Sequence, residues 1–73
     1  MSTETKFLLD ALTKNLTLMV MEDFGYTIPE AMSVVYNSQL YEKILDTETG
    51  LYYQSAGYNY QFLRREILTG KML

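Results

Sequence analysis

Residues 27–45, TIPEAMSVVYNSQLYEKIL, decide the fold. Thr27-Ile28-Pro29-Glu30 has the form of a capping box. The Thr27 hydroxyl accepts from a free backbone N–H of the first turn, and Glu30 reaches back to the Thr27 amide. Pro29 loses nothing there, because its missing N–H falls among the amides that have no helical partner. Ile28, Ala31, Met32, Val35 and Tyr36 then recur at helical spacing and predict one apolar face. Tyr26, just before the cap, is placed to staple onto Ala31. Asn37-Ser38 interrupts the pattern and offers a second cap, after which Leu40, Tyr41, Ile44 and Leu45 form another short apolar stripe.

Working outward, Leu8, Leu12, Leu16, Met19 and Val20 predict a long first helix from about Thr3 to Phe24, widened by Leu9 and Met21. Ser2 or Thr3 can cap it, and Gly25 suits the left-handed residue past its end, with Tyr26 folding back on Met21. Towards the C-terminus, Asp46–Gly50 reads as a turn closed by Gly50. Leu51–Gln54 reads as extended chain with no partner strand, hence an ordered loop or isolated bridge, with Tyr52 and Tyr53 on opposite sides. Ser55 can cap a last helix over about Ala56–Thr69, with Phe62, Leu63 and Ile67 as its core stripe, extended by Tyr60 and Leu68. Gly70 stops it, and Lys71 complements the helix dipole. The expected fold is all-α: a compact bundle of about four helices in a single domain over residues 1–73, with two short central helices and a Tyr-rich loop before the last.

Composition narrows the function. The chain has 73 residues, no cysteine and no histidine. Disulfides, thiolate metal sites and the commonest general base are therefore excluded. A domain this small gains little from its own core, so association with a partner is a natural route to stability. A net charge of −3 opposes binding to nucleic acid and to anionic membrane surfaces. The longest apolar run, Leu18–Met21, is far too short to span a bilayer. The N-terminal segment lacks the pattern of a secretory signal, so the protein is expected to be cytoplasmic. The glycosylation-like triplet at Asn15 then carries no meaning.

No catalytic signature is present. Asp46–Gly50 lacks the alternating ligands of a calcium loop, the glycines are scattered, and Ser38 and Ser55 have no base to activate them. No cofactor, metal or enzymatic activity is expected. A helix pair joined at Asn37-Ser38 could imitate a helix-turn-helix, but its reading helix would offer only Gln39, Glu42 and Lys43. Arg64 and Arg65, beside Glu66, read as a solvated helix face.

The segment from residue 26 to 68 resembles a family of small bacterial proteins of unknown function. The resemblance rests on Ser38, Tyr41, the acidic turn Glu48-Thr49-Gly50-Leu51-Tyr52, then Gln54-Ser55 and Tyr58, Tyr60 and Leu63, with Ile44 where leucine is usual. Similar proteins are often encoded near ADP-ribosyltransferase-like toxin genes, which implies an accessory or antitoxin-like role. The residues themselves point to an interaction module that binds a protein or a second copy of itself. Tyrosines favour interface hot spots, so Tyr53, Tyr58 and Phe62 are the candidate partner-binding residues. The rival reading of the tyrosines is that they pin the loop to the bundle. The rival function is a DNA-binding regulator.

Overall fold

The computed structural model describes residues 2–71. It is a small all-α bundle, with no strand among the described residues. Helix α1 spans Thr3–Phe24, α2 Ile28–Tyr36, α3 Gln39–Leu45 and α4 Ala56–Thr69, with 3₁₀ turns at Thr47–Thr49 and Leu51–Tyr53.

Each helix begins where a local side chain relieves the unpaired first-turn amides. Ser2 accepts from the Thr5 amide at 3.1 Å, Ser38 from Tyr41 at 3.0 Å, and Ser55 from Tyr58 at 3.0 Å. At α2 the capping box is complete. Thr27 accepts from the Glu30 amide at 3.3 Å, and the Thr27 amide donates to Glu30 at 2.9 Å. That bond, more than the one from the Thr27 hydroxyl, holds the Glu30 carboxyl below its ordinary pKa. Gly25 and Gly50 terminate their helical segments at φ 71° and 69°, a region that strains any side chain.

The core gathers Leu9, Leu12, Leu16 and Val20 of α1, Ala31 and Val35 of α2, Leu40 and Ile44 of α3, and Tyr60 and Leu63 of α4. Thr13 and Thr17 join it because each hydroxyl donates to the carbonyl four residues back, at 2.7 and 2.8 Å, and leaves its methyl to pack. Two long-range polar links tie α4 down. The Tyr60 hydroxyl donates to Asp23 at 2.7 Å, and Arg64 Nε pairs with the same carboxylate at 3.0 Å. Burial, reinforced by the Asp23 bond, drives the Tyr60 pKa well above its ordinary value. Glu66 accepts from the amides of Gln39 at 2.7 Å and Leu40 at 3.1 Å, so α4 caps the start of α3.

Several expectations need correction. Leu51–Tyr53 is a 3₁₀ turn, not extended chain. Successive residues of such a turn stand about 120° apart. Tyr52 and Tyr53 therefore do not point to opposite sides but stack, with ring centroids 4.2 Å apart. Beyond these corrections, Tyr26 packs against the core and also stacks on Phe24, with ring centroids 5.7 Å apart. Glu66, half-buried, belongs to the α3 cap and not to a solvated face. Leu8, Leu45 and Leu68 lie on the outer flanks of their stripes and are exposed, because each helix turns only a narrow face to the common centre. The same holds for α2, where Ala31 and Val35 are buried while Ile28, Met32 and Tyr36 remain exposed.

Candidate docking surface

The aromatic candidates separate. Tyr58 and Phe62, one turn apart on α4, meet edge to face at 5.5 Å. Phe62 is half-buried against the core, while Tyr58 is exposed. Tyr53 is 71% exposed and rests on Tyr52 rather than on that pair. The loop that carries Tyr53 is held from beneath by Asn59, which is fully buried. Its Nδ2 donates to the carbonyls of Leu51 at 2.9 Å and Ser55 at 3.2 Å, with Gln54 at 3.5 Å. The tyrosine corner is thus pinned through an asparagine and through Tyr60. Asn59 reaches back four to eight residues, whereas the partner of Tyr60, Asp23, lies 37 residues away.

A better surface lies between α1 and α2. The connection from Gly25 to Thr27 is short, so α2 folds back along α1. Their outer flanks enclose an apolar groove of about 380 Å³. Its walls are rows at four-residue spacing: Ile28, Met32 and Tyr36 on one side, Asp10, Lys14 and Leu18 on the other. Thr13, Thr17 and Met21 form the floor. With the threonine hydroxyls committed to their own helix, that floor presents methyls. Two parallel ridges of this spacing leave a channel that accepts the ridge of a third helix.

The groove is polar at one end only. Met21, Leu18, Ile28 and Met32 make the greasy end near the α1–α2 connection. Lys14, Asp10 and Tyr36 make the other. Asp10 pairs with Lys6 at 2.9 Å across one exposed turn. Lys14 makes no ion pair among the described residues. Tyr36 leans edge-on against Tyr41, at 5.1 Å. The signal for this surface was in the sequence. The 28, 32, 36 row is a separate ridge from the 31, 35 row, and the structure turns only the latter into the core.

No helix of the described residues is long and apolar enough to cross a membrane, and they contain no cluster of three potential metal ligands. No family model, no curated protein and no solved structure matches the chain.

Proposed function

We propose that the protein is a non-catalytic interaction module whose docking surface is the α1–α2 groove, and that its ligand is an amphipathic helix. One observation carries this reading. Ile28, Met32, Tyr36 and Leu18 remain 57, 40, 48 and 48% exposed around a single concavity, whereas the other exposed large apolar residues are spread over α1, α3, α4 and the tyrosine loop. Large apolar side chains gathered in one recess mark a binding surface, whereas scattered ones do not. The occupant is helical because both walls are i, i+4 ridges. The accessory or antitoxin-like role implied by the resemblance is one form such docking could take. Tyr53 and Tyr58, outside the groove, are secondary contacts at most. A DNA-binding role is less well supported, since Glu66 already occupies the α3 amides that a phosphate would seek and adds negative charge there.

The test is a photoreactive side chain placed at position 32 in the native cell, with controls at positions 58 and 61. A discrete protein adduct from position 32 alone is expected. Adducts from position 58 alone, or none from position 32, refute the groove.

A further inference from the structure

Phe7 is 71% exposed on a helix whose other large apolar residues mostly have a home. It stands seven residues before Lys14 and eleven before Leu18, and so continues the groove's α1 wall beyond the end of α2. Along that wall the order is Phe7, Asp10, Lys14, Leu18. This order is complementary to its own reverse. If two α1 helices pack antiparallel about a twofold axis midway between Phe7 and Leu18, Asp10 of each copy meets Lys14 of the other. Phe7 of each copy then meets Leu18 of the other, at the mouth of the greasy end lined by Met21, Ile28 and Met32.

We propose that the groove's occupant is α1 of a second copy, giving a twofold-symmetric dimer in which Phe7 fills the partner copy's groove and two Asp10–Lys14 pairs set the register. The proposal rests on the docking reading above and names its ligand. Such an interface is isologous, the usual form of a homodimer. It gives Lys14 the acidic partner it lacks among the described residues. It asks Asp10 to release Lys6, an exposed one-turn pair that contributes little and yields readily. It buries an aromatic anchor in a preformed apolar recess, the arrangement that dominates interface energetics.

Sedimentation equilibrium of the full chain, from low to high micromolar concentration, tests this. The wild type is expected to pass from monomer to dimer. Lys14→Asp should weaken the dimer at least about tenfold by setting like charges together. The double variant Asp10→Lys/Lys14→Asp should restore it, because the pair is only reversed. Phe7→Ala should abolish it while leaving the circular dichroism and thermal midpoint of the monomer unchanged, since the side chain is exposed. A wild type monomeric throughout, or a dimer indifferent to Phe7→Ala and to the single Lys14→Asp change, overturns the proposal. A crosslink from position 32 to a protein of another mass, with the chain itself monomeric, would sink the dimer and leave the docking reading standing. Absence of any adduct would sink the docking reading itself.

Discussion

Replacing Asn59 by aspartate changes almost no volume and reverses the chemistry of the buried corner. Asn59 Nδ2 holds the carbonyls of Leu51 and Ser55, while its Oδ1 is buried with no hydrogen-bond partner among the described residues. In Asn59→Asp an ionised carboxylate would face those carbonyl oxygens with nothing to donate. Two hydrogen bonds are lost, at about 1 kcal/mol each. The remaining charge is buried and unpaired, a situation that costs about 3–5 kcal/mol in comparable sites. The folded state lowers that cost by keeping the new carboxyl protonated, so its pKa rises above the ordinary value of about 3.9. Between those two values the folded protein holds a proton that the unfolded chain releases. Stability relative to the parent therefore falls as pH rises through that window, and the deficit shrinks as pH drops below it. The net loss near neutral pH is expected at about 3–4 kcal/mol, a large part of the 4–11 kcal/mol available to a domain of this length. Urea unfolding of both proteins, at neutral pH and near pH 4, measures the difference. A neutral-pH loss under about 1 kcal/mol would show that Asn59 does not hold the loop. A loss independent of pH would show that the side chain is not buried among acceptors.

Other perturbations probe the remaining joints. Glu66→Ala should cost about 1–2 kcal/mol, because two first-turn amides of α3 lose their acceptor, and Glu66→Gln should recover part of it; chemical denaturation reads both. Gly50→Val should cost about 1–2 kcal/mol through backbone strain at φ 69°, although open space surrounds the position; a thermal midpoint equal to the parent's would show the turn is misassigned. Tyr60→Phe should cost about 1 kcal/mol by removing the bond to Asp23. In the parent, Tyr60 keeps its proton when the unfolded chain would lose it, so stability should decline as pH climbs past about 10, less steeply in the variant.

The helix ends were legible because each is written within a few residues. Ser2, Thr27 with Glu30, Ser38 and Ser55 cap as their positions predict, and Gly25, Gly50 and Gly70 adopt positive φ. What escaped was decided by distant partners or by competition between periods. Asn59 and Glu66 look like ordinary polar helix residues; the winding of the loop just before α4 brings its carbonyls onto Asn59, and tertiary packing brings Glu66 to the α3 amides. The tyrosine pair at 52 and 53 suited a strand by composition, yet Gly50 and the Thr49 hydroxyl, which bonds the carbonyls of Lys43 and Asp46, wind the chain into successive 3₁₀ turns instead. The α2 stripe reads as one face in the sequence. In the structure only its Ala31 and Val35 row enters the core, and its outer row borders the recess that Thr13 and Thr17 also line. The tyrosine corner stands out by composition, whereas the recess is lined by a mixture of apolar and polar residues with no compositional signature.

The groove's openness and its closure by a second copy are both visible in methyl NMR with a soluble paramagnetic agent. In dilute protein the Ile28 and Met32 methyls should relax strongly, and those of Leu16 and Val20, fully buried, hardly at all. On concentration the Ile28 and Met32 methyls should become protected while Leu68, exposed on α4, stays accessible. Groove methyls already shielded in dilute protein, or equally accessible at every concentration in a sample that self-associates, would contradict the account.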